Sequence, residues 1–281
     1  MNYHKSIIAL TLFSLSSIAI AEPSINVPKI SVEESKELPF GDTSLDLDLI
    51  ATKKNLNIDT GDILNNFLGT NSIKNGGFSS LPLLQGLSDD RIKVKIDGMD
   101  IISSCANHMN PPLSYTSPAN INDIDVLAGL SSVSQGGDNI GGVINIKSNV
   151  IKFSGNTSMK SSGKLQAFFK SNNDAVGLNL SLSQFNQDTA LKYFGSFVEA
   201  NNSFAGSSFK NAGLAASDRG YLAGDEIGST RFKNQNHKFT IAKKDQNQFY
   251  EATLSYQDSP YQSFPNQRMD SVGNTNYQIN I

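Results

Sequence analysis

The sequence predicts an α+β domain followed by the first antiparallel strands of an incomplete transmembrane β-barrel. Three observations carry that prediction. Residues 82–147 mix short alternating segments with glycine-rich turns, residues from 163 onward repeat an apolar and polar alternation at period two, and the N-terminus reads as an export signal.

In chain order, His4 and Lys5 lead into an apolar and hydroxyl-bearing run from Ile7 to Ile20, and Ala19-Ile20-Ala21 precedes Glu22. A basic start, a short apolar stretch and a small-residue cleavage site define a secretory signal over residues 1–21. The run falls short of the ~20 apolar residues a spanning helix needs. No other stretch is long enough, so any membrane role falls to strands. Residues 22–49 carry three prolines and many charges, the composition of an extended periplasmic linker. Ile63, Leu64, Phe67 and Leu68 then have helical spacing after Thr60-Gly61-Asp62, which predicts a small helix packed on the core of a domain over residues 50–150.

Within that domain Ile92-Lys93-Val94-Lys95-Ile96 alternates apolar and charged residues, the period of a strand with one wet face. Asp97-Gly98 closes it with a turn signal. Ile124, Val126 and Leu127 give a second segment and Val143-Ile144-Asn145-Ile146 a third, entered through Gly136-Gly137 and Gly141-Gly142. The glycines read as turn chemistry, because no Gly-Lys-Ser or Gly-Lys-Thr follows to hold a phosphate. The progression from Asp97-Gly98 through Ile121–Val126 to Gly141-Gly142-Val143-Ile144-Asn145-Ile146 resembles the plug domain of TonB-dependent outer-membrane receptors, over about a third of the chain. Gln85-Gly86 stands where many members have Arg-Gly, so a role for that arginine is not carried over. The resemblance implies an α+β plug inside a barrel, and a TonB box in the linker that pairs as an added strand with the TonB energy-transducing complex. Val27-Pro28-Lys29-Ile30-Ser31-Val32-Glu33 is the candidate box.

The single cysteine sits in Ser104-Cys105-Ala106-Asn107-His108-Met109. A lone cysteine in an exported chain is either an inert buried thiol or a reactive group. Thiolate, thioether and imidazole form a soft donor set suited to Cu(I) and, less, to zinc. Cys105 and Met109 lie at i and i+4, where one helical turn or a compact loop brings both sulfurs to one ion. Spacing alone leaves a buried cysteine beside an incidental methionine as the plainer reading. The copper-receptor branch of the same family carries a similar Cys-x-x-x-Met motif, often with Asn-His before the methionine, in the equivalent loop after the Asp-Gly turn. That resemblance implies copper ligation by Cys105 and Met109, with His108 as a further candidate. The branch adds a His-x-Met pair from the barrel, which this sequence lacks; Met269 is the candidate third ligand.

Residues 151–281 continue the alternation. Leu165, Ala167 and Phe169 share one face, as do Val176, Leu178, Leu180 and Leu182; Tyr250, Ala252, Leu254 and Tyr256, then Tyr277, Ile279 and Ile281, repeat the pattern. These read as strands with apolar residues toward outer-membrane lipid and polar ones inward. A soluble β-sandwich shows the same period, so a secreted β-rich binding or adhesion protein stays open on this evidence. At ~9–11 residues per membrane strand the segment holds about six, against about 22 in the barrels of this family. The sequence is accordingly expected to be a fragment or a truncated product. With 38% hydrophobic and 17% charged residues, the composition suits half-polar strands better than a large dry core, and a net charge of −3 offers no basic footprint for nucleic acid. Tyr and Phe must supply any interfacial girdle, since Trp is absent. No nucleophile elbow and no His-Glu-x-x-His occur, so no enzyme is expected. Asp46-Leu47-Asp48 and Asp89-Asp90 read as solvated surface, with Arg91 an ion-pair partner of the latter. The expected function is receptor-mediated uptake of copper or, alternatively within the family, of a ferric siderophore.

Overall fold

A computed structural model describes residues 42–44, 50, 52–54 and 57–281, apart from 130, 132, 138, 216–219, 246 and 266–268. The export signal expected over 1–21 and the candidate box Val27–Glu33 lie outside the described residues, as does Asp46-Leu47-Asp48.

The first part is built on a sheet with the order β1-β6-β7-β4-β5. Its strands are β1 (Asp42–Ser44), β4 (Ile92–Ile96), β5 (Met99–Asp100), β6 (Ile121–Ala128) and β7 (Gly142–Ser148). β4 and β7 run parallel, and the other pairings are antiparallel. Alternation decides what is buried: Ile92, Val94 and Ile96 point into the core while Lys93 and Lys95 point out. Ile124, Val126, Ile144 and Ile146 meet them there, with Ile50, Leu84 and Leu113 beneath. Each such side chain contributes ~1.5–3 kcal/mol by leaving water.

The helix is shorter than its spacing predicts. α1 (Gly61–Leu64) is a single turn, and while Ile63, Leu64 and Phe67 are buried, Leu68 is 89% exposed. The cause is local. The Asn66 amide Nδ2 donates to the Ile63 carbonyl at 2.8 Å, occupying an acceptor at the helix end, and Gly69 takes φ +76° to turn the chain away. The chain then forms a hairpin of β2 (Thr70–Lys74) and β3 (Ser80–Leu84), with residues 75–79 at its tip.

The second part is an antiparallel wall of six strands among the described residues, ordered β17-β16-β15-β10-β9-β8. They are β8 (Lys160–Lys170), β9 (Ala175–Phe185), β10 (Thr189–Ala200), β15 (Phe232–Asp245), β16 (Gln248–Gln262) and β17 (Asn274–Asn280). Two miniature ribbons, β11 (Ser203–Phe204) with β14 (Glu226–Ile227) and β12 (Gly213–Leu214) with β13 (Tyr221–Leu222), occupy the long connection after β10. The outward residues are the predicted apolar ones: Leu165 is 66% exposed and Ile279 67%, with Phe169, Val176, Leu178, Leu182 and Leu254 also open. Among the described residues no second sheet covers them. Tyr193, His237, Tyr256 and Tyr277 stand side by side on this face, their rings 6.2, 6.1 and 5.1 Å apart in succession, and supply aromatic surface in the absence of Trp. The β9–β10 and β15–β16 connections lie at one end of the wall, and the short β8–β9 turn and the longer β10–β15 and β16–β17 connections at the other.

Candidate functional site

The cysteine loop hangs from the β4–β5 hairpin. Asp97 and Gly98 both adopt left-handed φ, +52° and +81°, the two-residue turn that matches strand twist. After β5 the Ile101 amide still donates to the Val94 carbonyl at 3.0 Å, and the chain then leaves the sheet. Residues 103–110 form a compact loop rather than a helical turn. The Ser103 hydroxyl lies 2.9 Å from the carbonyl oxygens of both Cys105 and Asn110, which draws the loop's ends together. His108, at φ +50°, donates its amide to the Cys105 carbonyl at 2.8 Å.

The β2–β3 hairpin tip holds this loop from one side. Asn75 Nδ2 donates to the His108 carbonyl at 3.0 Å, and the Ser79 hydroxyl donates to the Met109 carbonyl. Cys105 is partly exposed, whereas Met109 is only 6% exposed. One sulfur is open and the other shielded. The His108 imidazole Nε2 lies 3.7 Å from Asp89 Oδ1, and Arg91 lies 3.6 Å from Asp89 Oδ2, so the expected Asp89–Arg91 pair is present and shares its carboxylate with the histidine.

Met269, 55% exposed, lies in the connection between β16 and β17. The base of that connection presses on the same hairpin tip: a Cβ on Gly76 would lie 3.1 Å from the Ser263 carbonyl oxygen and 3.2 Å from Gln262 Nε2. The two candidate ligand segments thus flank one support. Among the described residues no three His, Cys, Asp or Glu side chains gather as a metal site. His237, whose Nδ1 lies 2.8 Å from the Tyr193 hydroxyl, is on the outward face and away from the loop.

Contacts between plug and wall were not legible in the sequence. Asp97, noted there only as a turn residue, forms an ion pair with Lys238 of β15. Its carboxylate also accepts from the Ser148 amide and hydroxyl, both at 2.8 Å, and its carbonyl accepts from Asn280 Nδ2 at 2.8 Å. Gln257 Nε2 donates to the Ser114 carbonyl at 2.6 Å, and Phe78 packs on Phe232 with ring centroids 5.4 Å apart. The signal that marks Lys238 is positional: alternation puts it inward, opposite the face that carries His237 and Phe239. Deeper in the plug, the Asp59 carboxylate accepts from the Gly61 amide at 2.9 Å and from the Ser80 hydroxyl, and burial raises its pKa to about 6.

A small α+β domain pinned by side-chain contacts to the inner face of a six-stranded antiparallel wall is the arrangement of a plug domain against barrel strands. Residues 35–143 match the TonB-dependent Receptor Plug Domain family. Among solved structures it is similar to "Copper transporter OprC", at TM-score 0.69 and 20% identity over 85% of this chain and 33% of that one. It is similar also to the FrpB iron transporter of Neisseria meningitidis, at TM-score 0.62 and 16% identity over 78% of this chain and 31% of that one. The ferric enterobactin receptor PfeA of Pseudomonas aeruginosa matches at TM-score 0.54 and 15% identity over 81% and 34%. The chain spans about a third of the length of these structures. No curated protein matches it.

Proposed function

We propose that this chain is the plug and first wall strands of an outer-membrane receptor that captures copper at its extracellular end and passes it inward when TonB acts on the periplasmic segment. The observation that carries the reading is the placement of Cys105 and Met109 in one tied loop, a partly exposed thiol beside a shielded thioether. Soft donors of this kind favour Cu(I) over the harder ions. One similar structure is a copper transporter, which supports the same choice. His108 and Met269 are the further candidate ligands, the first through its own loop and the second through the connection that shares its support. Residues 1–21 serve as the export signal, 22–49 as the linker with the box Val27–Glu33, 50–150 as the plug and 151–281 as wall. Metal is cargo here, and no chemistry on it is required beyond binding and release.

A ferric chelate is the second reading, favoured by the likeness to iron transporters and ferric enterobactin receptors. Titrating the full chain with Cu(I) against a chromophoric competitor separates the two. The expected result is one tightly held Cu(I), lost in the Cys105→Ser, Met109→Ala double variant and weakened in Met269→Ala. Equal and weak binding by parent and double variant would sink the copper reading.

A further inference from the structure

The copper reading leaves unused a group of lysines at the other end of the plug. A cavity of about 270 Å³ opens between plug and wall on the side of the β9–β10 connection, lined by Lys54, Lys152, Lys164 and Lys192 with serines and amides of β8 and β9. Among the described residues no carboxylate lines it, in a chain whose net charge is −3. A neighbouring cavity of about 150 Å³ shares Lys192 and Asn149 with it and adds Lys238, already paired with Asp97, together with Glu251.

Strand register builds this arrangement. Lys164 pairs opposite Ser181 and Lys192 opposite Ser183, so the two lysines flank β9 on the inward face while Leu165 and Leu182 point out. Lys54 comes from the plug, anchored by donation to the Ile121 carbonyl at 3.0 Å. Burial, and then the Lys164 charge beside it, lowers the Lys54 pKa. Lys192 donates to the Asn149 carbonyl. An ammonium carries three donors, so each of these two keeps donors to spare. Lys152 and Lys164 have no hydrogen-bond or ion-pair partner among the described residues. Ser162, Ser181, Ser183, Gln166 and Asn179 add neutral donors between the charges. Gathering four like charges in one recess raises their mutual repulsion, which a bound counter-charge relieves.

We propose that this lysine chamber is a binding site for a small oxyanion with two or more negative charges, of the polycarboxylate or phosphate type. It is independent of which metal the receptor carries. Four ammonium groups around hydroxyl and amide donors match such an anion in charge and in hydrogen-bond sense, and reject cations and apolar ligands.

The test is calorimetric titration of the full chain in detergent micelles with inorganic pyrophosphate and, separately, with citrate and acetate. Saturable one-to-one binding of pyrophosphate or citrate, and none of acetate, is expected; which of the two binds more tightly sorts phosphate from carboxylate. The Lys152→Gln, Lys164→Gln variant removes two unpartnered charges and should weaken binding at least about tenfold, while Lys164→Arg, which keeps the charge, and Lys243→Gln on the outward face leave it unchanged. Absence of saturable binding by either polyanion would overturn the proposal. So would an equal loss in Lys243→Gln, which would mean general charge attraction.

Discussion

Replacing Lys238 with methionine tests whether the plug is pinned to the wall electrostatically. Methionine keeps the length and bulk of the side chain and removes its charge. The Asp97 carboxylate then retains its two bonds from Ser148 and loses its cationic partner. Exposed ion pairs contribute ~0–1 kcal/mol, and breaking a buried one costs ~3–5 kcal/mol. With the Lys238 and Asp97 side chains 16% and 22% exposed, the pair lies between those limits. A loss of about 2 kcal/mol follows, equivalent to about a thirtyfold rise in the plug's open population. Hydrogen–deuterium exchange of peptides spanning 92–100 and 142–148 reads that population directly, because opening exposes the amides of β4 and β7. Exchange in both should accelerate by about that factor, and Asp97→Asn combined with Lys238→Met should cost at least about 1 kcal/mol less than the sum of the two. Acceleration under threefold, or strict additivity of the two variants, would refute the pin.

Two further outcomes follow from the plug interior. Because burial raises the Asp59 pKa to about 6 in the folded state from an ordinary value of 3.8, the folded form holds its proton where the unfolded chain has lost it. Plug stability should therefore be greatest below about pH 4 as far as this group is concerned. It should fall by on the order of 3 kcal/mol as pH rises to about 6 and stay level above, with Asp59→Asn removing that slope in urea titrations. A Cβ on Gly77 would sit 2.0 Å from the Phe232 ring. Gly77→Ala should loosen plug from wall by ~1–3 kcal/mol, and Phe232→Leu in the same chain should restore much of the loss in thermal unfolding, whereas no recovery would place the damage elsewhere.

The strands were legible because burial imposes a period. Ile92-Lys93-Val94-Lys95-Ile96 and the outward leucines of β9 write their two faces into neighbouring residues, so a short window of sequence suffices. Asp97-Gly98 was legible for a related reason, since only a few residue types tolerate two successive left-handed φ angles. Leu68 misled because helical spacing cannot register that Asn66 and Gly69 end the helix first. Cys105 and Met109 stood out as a pair, yet the sequence did not disclose that one is open and the other shielded, which depends on Ser79 and Asn75 reaching across from another hairpin. Contacts such as Lys238 with Asp97, or Gly77 against Phe232, join residues more than a hundred positions apart and leave no local pattern. The lysine chamber is hidden in the same way: its four cations are scattered between residues 54 and 192 and meet only through register.

The Asp97–Lys238 pin and the cysteine loop lie at the two ends of one hairpin. Asp97 sits at the turn between β4 and β5, and the cysteine loop begins where β5 leaves the sheet, still tied to β4 by the Ile101 amide. A hydrogen-bonded hairpin of this kind moves as a unit, so strain placed on the loop by a bound ion has a short route to the pin. By linkage, whatever copper does to the strength of the pin, breaking the pin must do to copper affinity, with equal free energy. Cu(I) titration of Lys238→Met and exchange at residues 92–100 with and without Cu(I) measure the two sides of that equality. A matching change on both sides would place the loop and the pin in one cooperative element; no change on either side would show that the hairpin bends between them.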